Sequence, residues 1–256
     1  MDHQVKKEGK FKYIEIGEGE VLLLLHGLFG ALSNFESIIS HFSKTHRVIV
    51  PLLPIVDIPI RKVSVSSLVD FVEEFVEHKA LDNISVLGNS LGGHITILYS
   101  LRKQEKISNI ILTGSSGLFE NSLGSTFPRR GDYEYIRKKT EDTFYNPSMA
   151  TKELVDEVYD SVNDRNKAIR IIATAKSAVR HNLADKLHQI YVPTLLIWGE
   201  GDKVTPPFVG EKFNELIKNS ELVLIPKCGH APMMEAPELF NEHLELFLNK
   251  TKPSES

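Results

Sequence analysis

Six short apolar runs, at residues 21–25, 47–51, 84–88, 107–113, 194–198 and 221–225, recur along the chain with amphipathic stretches between them. Near-continuous apolar runs of this length are how strands covered on both faces of a parallel sheet read. The stretches between them carry a helical period: Leu68, Phe71, Val72, Phe75 and Val76 share one face, as do Phe240, Leu244, Phe247 and Leu248. Strand and helix in turn predict an α/β fold, a mostly parallel sheet with helices on both faces. Residues 11–16, running into 21–25 around Gly17-Glu18-Gly19, read as an antiparallel pair at the edge of that sheet. A chain of 256 residues, 41% hydrophobic and 25% charged, has the apolar material for one such core.

One segment breaks the rhythm. Residues 118–188 contain no convincing buried strand, but Leu154, Val155, Val158 and Val162, then Ile169, Ile172 and Ala175, fall on helical periods. The expected organisation is a core made of residues 1–117 and 189–256, with 118–188 inserted between two core strands as a helical cap or lid. Phe119, Phe127, Tyr133, Tyr135, Phe144 and Tyr145 give the lid an aromatic content that suits either an apolar pocket or packing onto the core. Arg137-Lys138-Lys139 reads as a solvated helix face.

Gly88-Asn89-Ser90-Leu91-Gly92 fits G-x-S-x-G between an apolar run and a helix-compatible stretch. That context places a serine on a sharp strand-to-helix turn, with small neighbours that let the chain pass close by. A serine hydroxyl is a weak nucleophile at neutral pH and needs a base. Ten histidines compete, and His230, in the Cys228-Gly229-His230-Ala231-Pro232 loop after the last apolar run, sits where open α/β sheets place their sites. The imidazole in turn needs a carboxylate. Asp202, in the Gly-rich loop after residues 194–198, is the candidate, with Glu200 its local rival. For an oxyanion, backbone N–H donors are expected from Leu91, just after the serine, and from the loop His26-Gly27-Leu28-Phe29-Gly30. Leu28 is the choice there by position and Phe29 the reserve.

Other features exclude whole classes of function. Lys and Arg total 30 against 34 Asp and Glu, a net charge of −4 that argues against a nucleic-acid surface. The single cysteine, Cys228, rules out an internal disulfide framework and a Cys-rich zinc site. No metal-binding or nucleotide-binding motif occurs, so neither a metal nor a bound nucleotide is expected. The longest early apolar run, residues 21–25, is too short for a signal core or a membrane span, which makes a cytoplasmic, non-membrane protein the default expectation.

The segments around His26–Gly30, Gly88–Gly93, Trp198–Pro206 and Cys228–Pro237 resemble the α/β-hydrolase fold superfamily, over nearly the whole chain. The resemblance implies a Ser90–His230–Asp202 triad, an oxyanion hole from the Leu28 and Leu91 amides, and no cofactor. It also implies that His26 braces its loop and is not a base. Gly-Asn-Ser-Leu-Gly-Gly and Lys-Cys-Gly-His are similar to the meta-cleavage-product hydrolases, which act on carbon–carbon bonds. Those enzymes usually carry Trp after the catalytic His, where this chain has Ala231, and use a cap arginine for which Arg165, Arg170 and Arg180 are candidates. His-Gly-Leu-Phe-Gly with the later Asn34-Phe35 looks more like small carboxylesterases. Pro51-Leu52-Leu53-Pro54 stands where both groups commonly carry an Asp-x-x-Gly-x-Gly loop.

The remaining candidates read more plainly. Asn89 either orients a substrate oxygen or fills the elbow. His94, one helical turn past Ser90, reads as a core or helix-surface histidine, and Cys228 as a buried structural thiol. Pro206-Pro207 fixes the loop before a helix. The expected function is a carboxylesterase acting through an acyl-enzyme on a small-molecule ester with a small or medium acyl group. Carbon–carbon bond hydrolysis and a ligand-binding receptor on the same fold are the alternatives, and the oligomeric state is left open.

Overall fold

The computed structural model describes residues 3–30, 35–119 and 129–252. The described residues form eight strands: β1 (Lys6–Glu8), β2 (Phe11–Ile16), β3 (Glu20–Leu25), β4 (His46–Pro51), β5 (Ile84–Asn89), β6 (Ile107–Thr113), β7 (Thr194–Gly199) and β8 (Ser220–Ile225). They form one sheet in the order β1-β2-β4-β3-β5-β6-β7-β8. From β4 onward all pairings are parallel, while β1 with β2 and β2 with β4 are antiparallel. All six apolar runs are strands, with every bound within one residue of the run.

The leading hairpin expected between residues 11–16 and 21–25 does not form. Strand β2 pairs with β4, which lies between it and β3. Burial gives the reason. Leu22, Leu23, Leu24 and Leu25 are fully buried, so β3 needs cover on both faces and a strand on each side. Strand β2 keeps Lys12 exposed and takes a place nearer the edge.

Nine α-helices accompany the sheet: α1 (Glu36–Phe42), α2 (Val65–His78), α3 (Leu91–Lys103), α4 (Tyr133–Glu141), α5 (Lys152–Asn163), α6 (Arg165–Arg180), α7 (Pro207–Leu216), α8 (Pro232–Glu235) and α9 (Pro237–Lys250), counted among the described residues. The pleat sends alternate strand residues to opposite faces. Leu23, Leu25, Val86, Ile110, Leu196 and Trp198 pack with α2, α3 and α7. On the other face Leu22, Leu24, Val48, Leu87, Ile111 and Ile197 pack with α1 and α9.

Between β6 and β7 the described residues form helices and no strand, so the insertion is helical as expected. Each of its three α-helices starts at a side-chain cap: Asp132 accepts from the Tyr135 N–H, Thr151 from Leu154, and Asp164 from Asn166 and Lys167. Arg137 pairs with Glu134 and Glu141 along α4, the solvated helix face expected there. Of the lid aromatics, Phe144 is buried in the core, Tyr133 meets Tyr159 edge to face, and Phe119 lies against Phe208 at the surface. Packing thus accounts for these three. Phe127 and Asn34 lie outside the described residues.

Candidate active site

The strongest apolar strands end together at one edge of the sheet, and the loops that leave those ends carry the chemistry. Ser90 directly follows β5 and precedes the first residue of α3, with φ 55° and ψ −117°. A non-glycine residue occupies that region at a cost of order 1–3 kcal/mol, so its surroundings must hold it there. The Ser90 N–H donates to the Thr113 carbonyl (3.0 Å), and its own carbonyl accepts from the N–H groups of His94 and Ser116 (3.2 Å each). Gly92 lets the turn close: a Cβ there would lie 1.9 Å from the Leu25 carbonyl oxygen, which no side chain tolerates. The serine itself stays half-exposed.

His230 leaves the end of β8, and Asp202 the end of β7. His230 Nδ1 lies 2.9 Å from Asp202 Oδ2. The Asp202 side chain is 0% exposed and that of His230 11%. Every lone pair that matters on the carboxylate is used. Oδ1 accepts from the N–H groups of Val204 (2.8 Å) and Thr205 (2.9 Å), and Oδ2 also accepts from Thr205 Oγ1 (2.9 Å). With His230 Nδ1, four groups converge on this buried carboxylate, an arrangement that can hold an imidazole in one orientation. Glu200, by contrast, is exposed.

The expected anion donors flank this group. Leu28 and Phe29 are half-buried in the loop after β3, which closes through Gly30 N–H to the Gly27 carbonyl (3.1 Å). Leu91 opens α3, where free amides and the helix dipole favour negative charge. Among the described residues, the N–H groups of Leu28 and Leu91 donate to no protein acceptor. Gly27 brings its loop against the serine, since a Cβ on it would lie 3.3 Å from Ser90 Cβ.

His26 ties that loop down. One ring nitrogen, Nδ1, lies 2.9 Å from the Gly27 carbonyl, and Nε2 accepts the Leu53 N–H at 3.1 Å. Both nitrogens are committed to backbone, and burial pushes the imidazole pKa down. The bond to Leu53 also anchors the segment that replaces the Asp-x-x-Gly-x-Gly loop. Asn89 is likewise a brace: its Nδ2 donates to the carbonyls of Thr113 (3.1 Å) and His230 (3.3 Å). Of the two roles open to it from sequence, its amide nitrogen serves the elbow.

His94 is fully buried, with Nδ1 3.4 Å from Ser116 Oγ and its ring 5.6 Å from that of His181. Burial, reinforced by His181, pushes its pKa down to about 3, so it is neutral. Cys228 is buried too, and burial with the nearby Glu235 carboxylate pushes its thiol up to about 12. Pro206 precedes α7 and Pro207 is its first residue, the loop-fixing role expected of the pair. Of the arginines weighed for a cap role, Arg165 and Arg180 are exposed, and Arg170 donates to the carbonyls of Ile58 (2.8 Å) and Asn166 (2.9 Å).

The sequence reading overlooked two neighbours of the central pair. Thr205 stands three residues after Asp202, a spacing from which a hydroxyl returns to a turn carboxylate, so a local signal existed. Gly114, which packs against the His230 ring, had none.

A family model described as the α/β hydrolase fold matches residues 20–237. The chain belongs to this family. It is therefore an enzyme of the hydrolase superfamily, with an eight-stranded core and an inserted helical region. This α/β hydrolase is 41% identical to a solved α/β hydrolase enzyme from the metagenome of lagoon sediments at Mar Chica, Morocco. That likeness covers 96% of this chain and 98% of the other, with a TM-score of 0.80. It is 26% identical over 252 residues to Lipase 1 of Psychrobacter immobilis, covering 89% of this chain and 77% of the lipase. It is also 26% identical over 257 residues to the 2-hydroxy-6-oxo-6-(2'-aminophenyl)hexa-2,4-dienoic acid hydrolase of Metapseudomonas resinovorans, covering 93% and 87%.

Proposed function

We propose that this hydrolase is a carboxylesterase that cleaves small or medium acyl esters through an acyl-enzyme. The observation that carries the reading is the buried His230–Asp202 pair, 2.9 Å apart, whose histidine backbone is tied at 3.3 Å to Asn89, the residue before the strained Ser90 elbow. Ser90 Oγ attacks the ester carbonyl while His230 Nε2 takes its proton. The Leu28 and Leu91 N–H groups receive the oxyanion. His230 then protonates the leaving alkoxide, and Asp202 stabilises the imidazolium in between. A water, deprotonated by His230, attacks the acyl-enzyme and releases the acid.

Phe29, half-buried beside Leu28, would line the acyl side of the site. Residues 118–188 act in this reading as the lid, over a core of 1–117 and 189–256. No cofactor takes part. Ester hydrolysis is preferred to carbon–carbon cleavage because Ala231 stands where the carbon–carbon hydrolases usually carry Trp, and because Arg170 is spent on backbone carbonyls. No helix among the described residues is long and apolar enough to cross a membrane. A cytoplasmic site of action goes with the absence of any internal disulfide.

Fluorophosphonate labelling with peptide mapping tests the reading, followed by turnover of p-nitrophenyl esters from acetate to octanoate. Labelling at Ser90 that disappears in His230→Ala, with ester turnover, is the expected result. Turnover of a ring-fission diketone alone would move the enzyme to the carbon–carbon class. An unreactive serine in the folded protein would favour a ligand-binding role.

A further inference from the structure

Three chain segments meet beside His230, and one carboxylate joins two of them. Glu235, the last residue of α8, is half-buried and turns back toward the loop that carries the histidine. Its Oε1 accepts the Gly229 N–H at 2.7 Å, with Cys228 Sγ 4.0 Å away. Its Oε2 accepts two N–H groups from the insertion, Tyr145 at 2.8 Å and Asn146 at 3.2 Å. The same turn of the insertion also holds the histidine directly, because the His230 N–H donates to the Thr143 carbonyl at 2.8 Å. The loop of Asp202 joins from the third side, through Gly201 N–H to the Cys228 carbonyl at 2.8 Å.

From this geometry we propose that Glu235 is a positioning residue, whose two oxygens clamp the His230 loop to residues 143–146 of the insertion and so set the imidazole against Asp202. The proposal rests on the triad reading above. The His230 loop is a short connection between β8 and α8, with Cys228 and Ala231 buried in the core to either side of the histidine. Its backbone is held in addition from the insertion side, by the Thr143 carbonyl at His230 and by Glu235 at Gly229. The bridge needs an acceptor at each end, and the ends are served by different oxygens. Only a carboxylate supplies both. An amide would satisfy one end and set its NH₂ donors against the N–H groups of the other. The insertion is accordingly part of the catalytic scaffold at this corner, whatever the remainder of it does as substrates enter.

Glu235→Gln in the full chain tests the proposal with p-nitrophenyl acetate as probe. The expected loss is roughly ten- to a hundredfold in kcat, the scale of a misplaced catalytic group, with KM within about twofold. Two spectroscopic readouts accompany the kinetics. In ¹⁵N-labelled protein the amides of Gly229, Tyr145 and Asn146 should all exchange faster, and the His230 Nδ1–H resonance should broaden or vanish. Faster amide exchange with an unchanged imidazole resonance would overturn the proposal, since Glu235 would then support the fold alone. Unchanged exchange at all three amides would overturn it as well. If Glu235→Gln does not fold, Glu235→Asp, which keeps both acceptors but falls one methylene short, takes its place in the same comparison. A wild-type protein that neither labels at Ser90 nor turns over ester would sink the esterase reading, while the His230 resonance would still decide the clamp.

Discussion

Gly114 lies close against the imidazole of His230. A Cβ at residue 114 would come within 2.8 Å of His230 Nδ1 and 2.9 Å of the His230 carbonyl oxygen, and φ there is +51°. The glycine thus packs against the ring at Nδ1, the atom that meets Asp202. In Gly114→Ala the His230 ring and its backbone must shift to make room for the methyl group. We expect kcat to fall by about tenfold to a hundredfold, the scale of a misplaced catalytic group, with a cooperative thermal transition retained. Wild-type kcat in a folded Gly114→Ala protein would show that the ring has slack that the geometry does not reveal.

Thr205 supports the carboxylate from below. Its hydroxyl donates to the oxygen of Asp202 that also meets His230. Thr205→Val keeps the shape and the backbone N–H but removes the hydroxyl. Hydrogen bonds to charged groups contribute about 1.5–3 kcal/mol, so kcat/KM should drop roughly tenfold. Steady-state kinetics on the purified variant would show it, and an unchanged value would demote the residue to packing.

The proposed roles make an ordered set of losses. Ser90→Ala should cost on the order of 10⁶ in kcat and Asp202→Asn on the order of 10⁴, by analogy with other serine triads. Glu200→Gln should leave the rate alone, because that side chain points to solvent. Substantial turnover by folded Ser90→Ala would remove the serine from the mechanism. A normal rate in Asp202→Asn would do the same for the aspartate.

Stability should depend on pH through His94. Its pKa is near 6.5 when unfolded and is pushed down to about 3 in the fold, by burial first and by His181 second. Between those values the unfolded chain binds a proton that the native protein refuses, so stability is lost as pH falls from about 6.5 toward 3. The groups that face the ring are the Ser116 hydroxyl and His181, and its Nε2 finds no hydrogen-bond partner among the described residues. His94→Leu should therefore gain on wild type in acid. Urea unfolding at pH 7 and pH 4.5 would show the difference in stability shifting in favour of the variant at the lower pH, and an equal difference at both would refute it. His26, also pushed down by burial, leaves a residual slope in each protein.

Much of this molecule was legible in local pattern. The apolar runs became strands because an aliphatic stretch of five to seven residues has no other way to bury both faces, and the helical periods became α2 and α9 for the same reason. The elbow, the loop aspartate and the loop histidine were visible because each follows a strand whose end is itself marked. The insertion showed as a gap in the strand rhythm, whereas its helix caps came to light only in the structure.

Pairing and contact were a different matter. Nothing local in residues 11–25 says that β4 will pass between β2 and β3. That choice belongs to the competition among all strands for the buried centre of the sheet, which the four fully buried leucines of β3 win. Nor does the sequence mark Gly114 as the wall behind His230, or Glu235 as the link between the histidine loop and the insertion. Those relationships join residues more than 80 positions apart, and they exist only where chain segments are brought within a few ångströms. By itself the sequence determined which residues could do chemistry, since that depends on residue type and on the strand each one follows. Tertiary structure decided how they are held, because hydrogen-bond partners and close contacts are set by packing across the sheet.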